Sequence, residues 1–192
     1  MNGLRSHELL HRRSSRLLIV DIQEKLVAAL EESARFSLVD AVRILAASAN
    51  LLEIPVVATE QYPSGLGPTV ASLTKFTDVR PPKKRFSATE STGWPTAAEA
   101  TDDRFQIVVT GMESHVCVLQ TVMDLLALGY QTYVVADGVT SRRSLDHRIA
   151  LERMANAGAI ITTAESVVFE WCESAEAPEF KQLSSLVKSR PV

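Results

Sequence analysis

The strongest constraint on the fold is an alternation of two kinds of apolar pattern. RLLIVDI (16–22), IPVVATE (54–60), QIVVTG (106–111) and QTYVVAD (131–137) are short and β-branched, with apolar residues on consecutive positions. Strands look like this when helices cover both faces of their sheet. AIITTAESVVFEW (159–171) begins the same way. Between these runs, KLVAALEES (25–33), SLVDAVRILAASANLLE (37–53), VCVLQTVMDLLAL (116–128) and SLDHRIALERMANAG (144–158) carry helical spacing. A short helix is expected over TAAEATDD (96–103), and a last one after Ala175 with a frayed end. Ser37 and Asp40 stand at capping-box spacing, Ser144 in an N-cap place and Gly129 in the C′ place. The prolines of VRPPKKRFS (79–87) allow only a short extended segment, and QYPSGLGPT (61–69) reads as a turn-rich loop. Strand and helix in alternation predict a three-layer α/β/α domain on a parallel sheet. No repeat or linker divides the 192 residues, so the whole chain, 1–192, reads as one domain.

Several function classes fall away on composition. Net charge is −3, whereas a nucleic-acid protein carries a basic surplus. No apolar run approaches the ~18 residues of a membrane span. The start, MNGLRSHELLHRRSSRLLIV, has arginines before an apolar stretch. That stretch is only LLIV and ends at Asp21, which makes it a strand and not a secretory core; an organellar transit segment stays open as a weaker reading, with Glu8 against it. Cys117 and Cys172 are the two cysteines; they form neither a disulfide framework nor a zinc motif. A reducing, cytoplasmic setting is the simpler reading.

In an open parallel sheet, ligands bind at the carboxyl ends of the strands, where the strand order reverses. Reactive side chains fall at three such ends. Asp21 closes the first strand, and is either an N-cap or a general base. Lys83 and Lys84 follow the extended segment near residue 80. They are either a solvated charge cluster or a source of one cation directed into the crevice. Cys117 follows IVVTG near a helix start, where free N–H groups and the helix dipole lower a thiol's pKa and can hold an oxyanion. The alternative is an inert core cysteine. Cys172 has no such context. His115 offers a Cys–His pairing, but residues so close at a helix start point apart. His7, His11 and His147 read as surface or packing residues, and Glu113 either serves the site or caps the turn. The glycines of SGLGPT are explained by a tight turn better than by a phosphate loop.

Asp21, the K-x-x-F-S of Lys83–Ser87 and the G-x-E-x-H-V-C of Gly111–Cys117 occur together and in order. This combination resembles the isochorismatase-like cysteine hydrolase superfamily, over roughly residues 14–170. DIQEKL (21–26) and TEQYPSGLGPT (59–69) resemble the signature loops of its isochorismatase domain-containing subgroup. The resemblance implies a six-stranded parallel sheet in Rossmann-like order and an Asp21–Lys83–Cys117 triad. It also implies a non-proline cis peptide at His115–Val116, an oxyanion hole from the N–H groups of Val116 and Cys117, and a homo-oligomer. Cys117 favours amidase-type chemistry over the vinyl-ether hydrolysis of true isochorismatases. TEQYP stands where nicotinamidases of the family carry metal-binding residues, so no metal or other cofactor is expected. The expected partner is a small-molecule amide or related acyl substrate, with Gln23, Gln61, Tyr62 and Phe86 shaping its pocket. The rival reading keeps the fold without catalysis, as an interaction or redox-sensing protein.

Overall fold

The computed structural model describes residues 5–190. The first four residues of the basic start and the last two of the expected frayed end lie outside the described residues. The elements run β1 (Ser15–Val20), α1 (Glu24–Ala28), α2 (Glu32–Leu51), β2 (Val56–Gln61), α3 (Pro63–Leu66), α4 (Ala71–Thr74), β3 (Pro82–Lys83), α5 (Thr89–Thr92) and β4 (Gln106–Met112). A π-helical turn (Ser114–Val118) then leads into α6 (Leu119–Ala127), β5 (Gln131–Thr140), α7 (Ser144–Asn156), β6 (Ile160–Thr162), α8 (Ala164–Cys172) and α9 (Phe180–Lys188). The six strands form one sheet in the order β3-β2-β1-β4-β5-β6, and every neighbouring pair is parallel. Among the described residues no helix is long and apolar enough to cross a membrane.

The consecutive apolar residues of the strands divide between two cores because successive side chains point to opposite faces. Leu17 and Ile19 of β1, Val108 of β4 and Tyr133 and Val135 of β5 join α2 and α8 on one face. Leu18, Val20, Ile107, Val109 and Val134 join α6 and α7 on the other. Each fully buried Leu, Ile or Val contributes about 1.5–3 kcal/mol, and few positions on β1 or β4 could be polar without cost.

The order reverses between β1 and β4, so this is where a crevice opens. Gly111 makes the approach of these strands possible. Its φ is +128°, and a Cβ there would lie 2.0 Å from the Val20 carbonyl oxygen. Only glycine fits.

Several local expectations are corrected. α2 begins at Glu32, and the Ser37–Asp40 capping box does not form; Asp40 instead pairs with Arg43 and Arg190. Residues 96–103 are turns, not a helix. Arg143, not Ser144, occupies the N-cap position of α7. Gly129 does follow the C-cap of α6 with a positive φ of 84°. Asp21 caps nothing, since Gln23 holds the N-cap position of α1.

Candidate active site

Asp21 follows β1 directly, with a φ of +52°. Its Oδ1 accepts a 2.8 Å hydrogen bond from the Thr59 hydroxyl of β2. Lys83 Nζ lies 2.6 Å from Oδ2, and the two side chains are 3% and 0% exposed. The buried carboxylate is thus held at both oxygens, by the Thr59 hydroxyl on one and the Lys83 ammonium on the other. Lys83 is aimed by β3 and the turn after it: Nζ donates to Gln61 Oε1 at 2.7 Å, to the Phe86 carbonyl at 2.8 Å and to the Arg85 carbonyl at 3.3 Å. Lys84 faces water.

Cys117 sits within the π-helical turn that follows β4. Its sulfur lies close enough to Asp21 and Lys83 for both charges to act on it, and the residue is 6% exposed. The three groups, contributed by the ends of β1, β3 and β4, therefore converge at the switch point. Burial above all, and then the charge of Asp21, push the Cys117 thiol up to about 12, with Lys83 opposing. The expected lowering of the thiol pKa is not met: burial and the charge of Asp21 raise it. Burial also raises the pKa of Asp21, against the opposing pull of Lys83, Cys117 and Thr59. The resting site is a protonated sulfur beside a carboxyl group with raised proton affinity.

The cis peptide lies at Met112–Glu113, not at His115–Val116. The Val116 N–H donates to the Glu113 carbonyl at 3.0 Å, and the Val118 N–H reaches the same oxygen at 3.2 Å. Val116 is thus engaged at rest and not free as an oxyanion donor.

The remaining residues singled out in the sequence separate clearly. Gln23 is fully buried; its amide donates to the Gln61 and Gly67 carbonyls and accepts from the Gln61 N–H. It sets the position of Gln61, which in turn holds Lys83. Tyr62 and Phe86 are half exposed at the rim. His115 turns away from Cys117 to Ser141, 3.0 Å distant. His147 meets Ser114 at 3.0 Å, and His11 pairs with Glu173. Cys172 is buried in the opposite core. Glu113 does not cap the turn with its side chain; it pairs with Arg142. Thr59 and Thr121 escaped sequence reasoning. The Thr121 hydroxyl donates to the Cys117 carbonyl at 2.6 Å and accepts from the Ala88 N–H at 2.9 Å. Its place four residues after Cys117, one helical turn on, was the available signal. Among the described residues no three His, Cys, Asp or Glu side chains gather as a metal site.

A doubly wound sheet with these groups at its crevice is the isochorismatase-like α/β hydrolase fold. The chain belongs to the isochorismatase domain family, whose model matches residues 15–166. It is 41% identical over 143 residues to isochorismatase domain-containing protein 1 of Salmo salar, covering 73% of this chain and 50% of that protein, so it spans half the length of that relative. It is 37% identical over 183 residues to the secreted isochorismatase effector Isc1 of Phytophthora sojae, covering 91% of this chain and 85% of that protein. The solved structure of MAR1 ribonuclease from Caenorhabditis elegans superposes with a TM-score of 0.85 at 33% identity, covering 96% of this chain and 95% of that one.

Proposed function

We propose that this protein is a cysteine hydrolase of small amides or related acyl compounds. The observation that carries the reading is the meeting of Asp21, Lys83 and Cys117 in a nearly dry crevice at the switch point. Asp21 accepts the thiol proton as the sulfur attacks the substrate carbonyl, giving a tetrahedral oxyanion. The oxyanion contact falls first to the Cys117 N–H, with Val116 contributing once its bond to Glu113 loosens. Collapse breaks the C–N bond, and the Asp21 proton leaves with the amine. Asp21 then takes a proton from water as the oxygen attacks the thioester. The second collapse releases the carboxylic acid and returns the proton to sulfur. Lys83 contributes the positive charge that keeps Asp21 ionised in a dry site. Tyr62 and Phe86 stand where they can contact substrate, while Gln23 and Gln61 act from behind.

The test is turnover across a panel of amides, ureides and ring-opened lactams, with Cys117→Ala as the blank. Loss of all turnover in that variant is expected, and an Ala variant as active as the parent would end the mechanism. The Caenorhabditis elegans neighbour is described as a ribonuclease, so single-stranded RNA belongs in the same panel. RNA cleavage that survives Cys117→Ala would replace the amide reading.

A further inference from the structure

Three consecutive residues just before the nucleophile each reach across to one other segment. The Glu113 carboxylate accepts from Arg142 three times, from the backbone N–H at 3.2 Å, from Nε at 2.9 Å and from Nη2 at 3.2 Å. Ser114 Oγ meets His147 Nδ1 at 3.0 Å. His115 Nδ1 meets Ser141 Oγ at 3.0 Å, with its Nε2 3.9 Å from Asp146. Residues 141–143 link β5 to α7, Asp146 and His147 lie in the first turn of α7, and none of them belongs to the triad. Glu113 and Ser141 are sheltered at 8% exposure and Ser114 at 0%, while the Arg142 side chain closes the contact from the surface.

These bonds bear on the sulfur through the backbone. The Glu113 carbonyl is the shared acceptor of the Val116 and Val118 amides, on either side of Cys117. Orienting Glu113 therefore orients the turn that carries the thiol. A π-helical turn is a rare and weakly self-supporting geometry, so its shape must come from outside. A nucleophile has to be held within about 0.5 Å of productive geometry. The mechanism above gives the side chains of Glu113, Arg142, Ser114 and His147 no task, yet each is bonded across this contact.

We propose that Glu113, Ser114 and His115, clamped by Arg142, His147 and Ser141, are positioning residues that aim the Cys117 sulfur at Asp21. The inference rests on the hydrolase reading only in taking Cys117 as the nucleophile. When the clamp is released, the turn relaxes, the thiol drifts from Asp21, and assisted proton loss slows.

Alkylation of Cys117 by iodoacetamide tests this without any substrate. The second-order rate is followed from pH 5 to 9 and assigned to Cys117 by peptide mass, so Cys172 does not interfere. Glu113→Gln and, from the exposed side, Arg142→Met are each expected to lower the limiting rate by about tenfold to a hundredfold, the range expected of a misplaced reactive group. Arg142→Lys, which keeps the charge but not the fork, is expected to recover part of it. The double variant should be no slower than the slower single one, because both act through one contact. Arg12→Met breaks an ion pair with Glu179 in the tail segment and serves as the stability control, lowering the melting temperature while leaving the alkylation profile alone. Clamp variants that melt lower, as the control does, but alkylate like the parent at every pH would overturn the proposal. Absence of turnover on the substrate panel bears on the hydrolase reading and leaves this result intact.

Discussion

Lys83 Nζ stands 2.6 Å from Asp21 Oδ2 with both side chains almost wholly withdrawn from water. Neither charge is tolerable alone at that depth. Lys83→Met is expected to cost about 3–5 kcal/mol, because it strands a buried carboxylate. Lys84→Met, on an exposed side chain, should stay within about 0.5 kcal/mol. Urea unfolding of the two variants measures both values, and equal losses would show that the two lysines are interchangeable.

Asp21 must be ionised to take the thiol proton, and burial lifts its pKa above the ordinary value of 3.8. Activity should therefore rise with pH through a midpoint above that value. The thiol, at about 12, adds no limb of its own in the working range. The stability sign follows from the same shift. The folded state holds this proton more tightly than the unfolded chain, so the associated stability is complete below pH 3.8 and is lost as pH rises through the higher folded value. A pH–rate profile on any substrate found, compared with Asp21→Asn, checks the acid limb; a limb below 3.8 contradicts it.

His147 shows the opposite case. Burial lowers its pKa from 6.5, so the folded protein prefers the neutral ring. Its contribution to stability is present above pH 6.5 and is lost as pH falls through the lower folded value. Melting temperatures between pH 5 and 8 should slope downward on the acid side, and His147→Gln should flatten part of that slope. An unchanged slope would show that other groups set it.

Gly111→Ala forces a methyl group to within 2.0 Å of the Val20 carbonyl oxygen at a φ of +128°. Strain and overlap together should cost about 3 kcal/mol or more. Gly93→Ala is the comparison, since Gly93 has a φ of +65° and no atom within 4 Å of a new Cβ; it should cost about 1–2 kcal/mol. Chemical denaturation of both variants measures the difference, and similar losses would mean that β1 and β4 can part here.

The doubly apolar strands made the layered sheet legible, since no other arrangement hides residues such as Leu17 and Leu18 at once. The positions of Asp21, Lys83 and Cys117 at strand ends were legible for the same reason. Dielectric surroundings were not: Cys117 reads as a residue near a helix start, and its burial beside Asp21, which raises the thiol pKa, shows only in the folded structure. Roles set by partners were equally hidden. Gln23 reads as a pocket-shaping residue until its amide is seen to be spent on Gln61 and Gly67, and Glu113 stays between a site role and a cap until Arg142 is found beside it. Caps failed at Ser37 because α2 already begins at Glu32, and at Ser144 because that residue is the first of α7 and not the one before it.

One hydroxyl fastens two otherwise unrelated stretches of backbone. Thr121 Oγ1 bonds the Cys117 carbonyl on one side and the Ala88 amide on the other, just beyond the loop that delivers Lys83. The ammonium and the sulfur are thereby riveted to a common frame. A molecule that pries the 84–88 turn outward must also tug at the thiol's own peptide unit, so entry from that flank would dismantle the machinery it seeks.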